Sequence, residues 1–150
     1  MEAARSATAA DVGRINELAG QLRTELAALR GGTTWLAREA RDGGYEELVA
    51  NTEGSVVVGT IDDVVVGFAT VDTETLRDGT RLAAIRELFV EPDARAVGVG
   101  EAMMELVIEW AQTSRCDAID AFALPGHREA KNFFEEQGMT ARLLVMHRQL

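Results

Sequence analysis

Between Leu82 and Leu124 the sequence changes period twice, and that run limits what the chain can fold into. Leu82–Val90 is an apolar run of strand length that ends at Pro92. After the turn Arg95–Gly100 (RAVGVG), Val99, Ala102, Met103, Leu106, Val107, Trp110 and Ala111 share one face of a 3.6-residue period. Ala118–Leu124 then reads as a strand again. A strand–helix–strand crossover over residues 85–124 pairs its two strands in parallel, so all-helical and purely antiparallel folds are excluded.

The flanks extend this into a mixed α/β domain. Glu2–Ala7 has a weak strand pattern. Thr8 and Asp11 make a helix start, a polar cap followed by a carboxylate at the helix's positive end. Val12, Ile15, Leu18, Leu22, Leu26 and Leu29 continue it as an amphipathic helix, which Gly31-Gly32 stops. Thr33–Arg41 is expected as a second short helix, and Tyr45–Ala50 leads out of it. Ser55–Ile61 and Val64–Thr73 flank the polar break Asp62-Asp63, which favours a hairpin. With Leu82–Val90 behind the turn Arg77–Thr80, three strands form an antiparallel meander. Near the end, Ala130, Phe133 and Phe134 mark a helix that Gly138 closes, and Leu143–His147 is expected as a last strand. The predicted order is β-α-α-β-β-β-α-β-α-β, in one domain over residues 1–150.

Composition narrows the function classes. A net charge of −10 argues against a phosphate-backbone binder, so no nucleic-acid partner is expected. No run of 18 apolar residues and no signal-peptide pattern occurs, which leads to the expectation of a cytoplasmic protein without a membrane partner. The single cysteine, Cys116, reads as a structural thiol, and no cysteine cluster suggests a metal.

Chemistry concentrates in Arg95, Ala96, Val97, Gly98, Val99 and Gly100. A helix N-terminus offers free amides and a positive dipole end to phosphate oxygens, and Arg95 adds a charged donor. Glycines at 98 and 100 leave room for a ligand to approach the backbone. Gly100 is followed by Glu101-Ala102, so a Walker loop fails. Met103 stands where a dinucleotide fingerprint needs a small residue, so that motif fails too.

The segment VEPDARAVGVGEAM resembles motif A of the Gcn5-related N-acetyltransferase (GNAT) family, V-x-P-x-x-R/Q-x-x-G-x-G/A. AKNFFEEQGM is similar to a later stretch of that family, and the element order matches across nearly the whole chain. The resemblance implies acetyl transfer from acetyl-CoA to a primary amine, in a ternary complex and without a metal. It implies that the amides of Arg95–Gly100 hold the pyrophosphate and that Leu88, Phe89 and Val90 pair with the pantetheine arm as an added strand does. An amide of Leu88 or a neighbour would polarise the acetyl carbonyl. Glu87 falls where many members carry the carboxylate that takes the amine's proton, and burial raises such a group toward the working range. The plainer alternative is that Glu87 pairs with Arg86 or another cation, or faces solvent.

Two positions depart from the family pattern. The usual acid is a tyrosine that protonates the departing thiolate; here that position is Phe134. Water, Tyr45 or His127 can supply the proton, or the domain binds acyl-CoA as a non-catalytic regulatory module. His127 stands where the family often has an asparagine at the cofactor, and it also suits a helix start. Trp35 lies where members form part of the acceptor pocket, and Arg128 and Lys131 are within the stretch that meets the 3′-phosphate, although core packing and solvated charges account for them as well. The acceptor is a small-molecule or peptide amine, and the acidic residues Asp42, Glu46, Glu47, Asp72, Glu74 and Asp78 are candidates to guide a cation. The resemblance also allows a homodimer.

Overall fold

A computed structural model describes all 150 residues as an α/β domain built on one mixed sheet. The elements are β1 (Glu2–Ser6), α1 (Val12–Ala27), α2 (Gly32–Arg38), α3 (Tyr45–Asn51), β2 (Val56–Ile61), β3 (Val64–Thr75), β4 (Arg81–Val90), α4 (Val99–Thr113), β5 (Ala118–Asp120) and α5 (Arg128–Glu136). The strands lie in sequence order, antiparallel from β1 to β4 and parallel between β4 and β5. The expected crossover is therefore present. At the β2–β3 hairpin, Asp62 and Asp63 both take positive φ (48° and 67°), the combination that suits the right-handed twist of paired strands.

Helices cover both faces. On one, Val99, Met103, Met104, Val107 and Ala111 of α4 pack against Val57, Ala69, Val71, Ala83 and Ile85 of the sheet. On the other, Val12, Ile15, Leu18, Leu22 and Leu26 of α1 meet Val56, Val58, Phe68 and Phe89, with Tyr45 of α3 among them. The start of α1 is fixed by Asp11, which accepts the Thr8 amide at 2.8 Å and both Arg5 guanidinium nitrogens at 2.7 and 3.0 Å.

Three expectations are corrected. Residues 45–51 form a helix of their own, which a seven-residue element between glycines and a turn was too short to announce by period. The strand expected over Ala118–Leu124 keeps only its first three residues, because β4 bonds to it only through Leu82–Ala84. Leu143–His147 forms no strand at all. Apolar strand-like sequence becomes a strand only when another strand satisfies its backbone, and no backbone hydrogen bond involves residues 140–150.

Candidate functional site

The site begins with an irregularity in β4. Thr70 pairs with Glu87 and Val71 with Ile85, so Arg86 is an extra residue in β4, a β-bulge. The bulge reverses the alternation of the strand. Ala83 and Ile85 face α4, and after the bulge so do Leu88 and Val90, whereas Phe89 joins the α1 side. Were Arg86 paired regularly instead of bulged, Glu87 would share the α4 side with Ile85. Instead it lies on the α1–α3 side, 6% exposed.

Both oxygens of Glu87 are engaged there. Tyr45 donates its hydroxyl to Oε2 at 2.6 Å and Thr70 donates to Oε1 at 2.9 Å. Tyr45 is fully buried and stacks edge-on against Phe68 at 5.9 Å. The Arg41 guanidinium lies over its ring, and Arg23 donates to the Arg41 carbonyl at 3.3 Å. Burial raises the Glu87 carboxyl above its ordinary range, while the two hydroxyls and the positive charge of Arg41 and Arg23 pull it back. Burial raises the Tyr45 phenol as well, reinforced by the neighbouring carboxylate, so it stays protonated and remains a donor. The alternative that Glu87 pairs with Arg86 is excluded: Arg86 turns to Asp72, at 3.0 and 3.2 Å.

Beyond the bulge, β4 has an open side. Its ladder to β5 ends at Ala84, so Ile85–Val90, including Leu88, Phe89 and Val90, has no strand on that side. The chain then turns through Pro92–Ala94 into the loop before α4. No turn, loop or cap hydrogen bond is donated by the amides of Ala96, Val97, Gly98, Val99 or Gly100. No side chain caps the helix either, so a row of free donors sits at its positive end.

The two glycines of this loop serve different purposes. Gly98 is the N-cap residue at φ 102°, a conformation that other residues rarely adopt. Gly100 makes room for α5: a Cβ there would lie 3.1 Å from the Phe133 ring. The expectation that both clear space for a ligand is corrected at Gly100, where a protein side chain uses the space.

Arg95 is committed within the protein. Its Nε donates to the Val90 carbonyl at 2.8 Å, its guanidinium pairs with Glu25 at 3.0 and 3.1 Å and with Glu129 at 2.8 Å, and it lies over Phe89. These contacts tie the loop to α1, β4 and α5 together. A shallow groove lined by Gly20, Gln21, Thr24 and Glu25 of α1 with Phe89 and Pro92 runs beside it.

The remaining candidates are spread around this centre. His127 is the N-cap of α5, half-buried, with no side-chain hydrogen bond. Phe133 and Phe134 pack against the α4-side core, Trp35 packs against the α1-side core, and Cys116 is a half-buried thiol beside the former. Asp78 caps its own turn by accepting the Thr80 amide at 2.9 Å, and Asp42, Glu46 and Glu47 are exposed. No group of three or more His, Cys, Asp or Glu side chains is arranged to hold a metal ion. No helix is long and apolar enough to cross a membrane. Sequence reasoning missed Thr70 and the Tyr45–Glu87 contact; the only signal was that the chain's sole tyrosine and a strand carboxylate both needed partners.

Comparison with known proteins agrees with the fold. The solved structure of a tetramutant of the BH1408 protein from Bacillus halodurans superimposes with a TM-score of 0.81, covering 98% of this chain and 99% of that one at 20% identity. Arabidopsis thaliana Naa50, solved in complex with the bisubstrate analogue CoA-Ac-MVNAL, gives 0.66 at 16% identity over 91% of this chain and 82% of that one. An uncharacterized N-acetyltransferase of Archaeoglobus fulgidus is 27% identical over 97 residues, 63% of this chain and 66% of the relative. The match thus spans just under two thirds of that relative's length. The family model of the acetyltransferase (GNAT) family matches residues 21–139, and the chain belongs to that family.

Proposed function

We propose that this protein transfers an acetyl group from acetyl-CoA to a primary amine by direct attack within a ternary complex. The observation that carries the reading is the pair of features that follow the β4 bulge. Glu87 is a buried carboxylate with a raised pKa, and the open edge of Leu88–Val90 and the free amides of Ala96–Gly100 follow it along the chain.

In this reading the amides of Ala96–Gly100 hold the pyrophosphate, with Arg95 bracing the loop that presents them. The open side of Leu88, Phe89 and Val90 receives the pantetheine arm as a strand is received. Glu87 takes a proton from the ammonium group, directly or through water, which frees the nitrogen lone pair. The nitrogen attacks the thioester carbon, the C–N bond forms, and an amide at Leu88 or its neighbour stabilises the oxyanion. The C–S bond then breaks and its electron pair leaves on sulfur; the thiolate takes a proton from water, and the hydroxide so formed takes the second proton from the nitrogen, leaving a neutral amide and free thiol. Tyr45 is unsuited to protonating the thiolate, since its hydroxyl proton is already donated to Glu87 and it has no exposed surface. His127, whose side chain makes no hydrogen bond at the start of α5, is the side chain to compare with water.

Phe134 favours a second reading, a non-catalytic acyl-CoA-binding or regulatory module, because the position usual for the acid holds no proton. Thiol release from acetyl-CoA against a panel of polyamines, aminoglycosides, amino acids and peptide N-termini separates the two. The proposal expects turnover with at least one amine. Stabilisation by acetyl-CoA with no acetylation of any amine would favour the module instead.

A further inference from the structure

Five arginines are half-buried, and three of them are well partnered. Arg14 pairs with Glu17 and Glu91, and Arg95 with Glu25 and Glu129. Arg81 donates to the Ser114 carbonyl and to the hydroxyls of Thr73 and Thr75. Arg23 and Arg41 differ from these. Arg23 donates once, at 3.3 Å, to the backbone carbonyl of Arg41, and the Arg41 side chain donates to nothing. Neither pairs with a carboxylate, although the chain holds 25 acids against 15 bases and Asp42, Glu46 and Glu47 are close in sequence to Arg41.

Their place in the fold is beside the buried carboxylate. Arg41 lies over the Tyr45 ring, 5.9 Å from its centre, and Tyr45 holds Glu87 at 2.6 Å. Both positive charges act on Glu87 and on Tyr45, against the effect of burial. No fully buried side-chain nitrogen in the protein lacks a partner, so the unpartnered Arg41 guanidinium still reaches solvent. Two cations with donors to spare thus stand next to the group that takes the amine's proton.

Such cations disfavour a polyamine, because every further ammonium group brought to Glu87 meets like charge. They favour an amine accompanied by an anion. A guanidinium is planar and offers paired N–H donors, which carboxylate oxygens match two at a time. An amino acid carries both groups on one small molecule: its ammonium group is complementary to Glu87 and its carboxylate to the arginines.

We propose that Arg41, with Arg23 beside it, binds the carboxylate of the acceptor, and that the acceptor is an amine of the amino-acid type. The proposal rests on the acetyl-transfer reading for the amine and adds its second group. The full chain is offered amino acids and the corresponding amino-acid amides with acetyl-CoA, and kcat/KM is compared within each pair. The ratio of free acid to amide should fall by about 10–100-fold in Arg41→Gln, the scale of a hydrogen-bonded charge pair, through the acceptor's KM. The two amines differ in basicity, but that difference is the same in both proteins and cancels. Arg41→Lys keeps the charge without the fork and should recover part of the ratio, and Arg23→Gln should lower it less than Arg41→Gln. An unchanged ratio overturns the proposal, as does a rise confined to the KM for acetyl-CoA, which would assign the arginines to the cosubstrate. Wild type that acetylates only amines without a carboxylate overturns it and leaves the transfer reading standing. If no amine is acetylated, the transfer reading fails by itself, and melting of the CoA-saturated protein decides the site. Stabilisation by the free acids and not by the amides, lost in Arg41→Gln, sustains the carboxylate site, and any other pattern overturns it.

Discussion

The two faces of the sheet are built to different rules. The α4 side is apolar throughout, with Met103, Met104, Val107 and Val99 closing on Val57, Ala69, Val71 and Ile85. The α1–α3 side has an apolar frame of similar size but encloses Glu87, Tyr45 and Thr70. One face is optimised for packing. The other gives up stability to hold a carboxylate out of water, a cost that hydroxyl donors reduce without removing. The bulge at Arg86 is what places Glu87 on the second face.

The largest separation of the two faces should come from their central residues. Met103→Ala on the α4 side is expected to lower stability by about 2–5 kcal/mol, the usual cost of a large-to-small change in a core, while the activity of the folded fraction is kept. Urea unfolding together with activity normalised to folded protein checks this. Loss of activity well beyond the loss of folded protein would erase the distinction.

Tyr45→Phe should act on the other face and more gently, by about 1–3 kcal/mol, because it strips one donor from a buried carboxylate. It should also move the acid limb of the rate profile upward, since the Tyr45 hydrogen bond holds the Glu87 pKa down. A profile that stays in place would mean that Glu87 does not set that limb.

Wild-type stability should carry the sign of the same group. Glu87 has a folded pKa above its unfolded value near 4.5, so the folded state binds more protons in the window between them. Its contribution is therefore complete below about 4.5 and is lost as pH rises through the folded pKa. Thermal unfolding of wild type minus Glu87→Gln across that window should show the difference falling with pH. A difference that rises would reverse the sign of the burial argument.

The smallest effect is expected at the loop that both faces share. Glu25→Gln leaves Arg95 with Glu129 and removes a negative charge beside the free amides. The KM for acetyl-CoA should fall by about two- to fivefold with kcat unchanged, the scale of one partly exposed charge pair. An unchanged KM would separate Arg95 and its partners from the anion site.

How much of this the sequence reveals depends on period and on pairing. α1, α4 and the meander are legible because each keeps one period long enough to be counted. The crossover and the free-amide turn follow from them, and with them the family. The bulge is not legible, since Arg86 in LAAIRELFV looks like any polar residue of an alternating strand. The partners of Glu87 are equally hidden, because Tyr45 lies 42 residues away on a helix too short to show a period. Leu143–Met146 misleads for a third reason. Its composition is that of a strand, but no strand of the chain pairs with it.

The account rests on Glu87 as the proton acceptor. In Glu87→Gln the side-chain amide can accept from Tyr45 and donate to Thr70, so the variant should fold and, at neutral pH, melt higher than wild type. With the best amine of the panel, the decisive measurement is kcat/KM against pH for both proteins. The account predicts that Glu87→Gln loses about 10²–10⁴-fold in kcat/KM at neutral pH and no longer shows the acid limb assigned to this carboxylate. Equal kcat/KM in the two proteins, with the same limb, would contradict it.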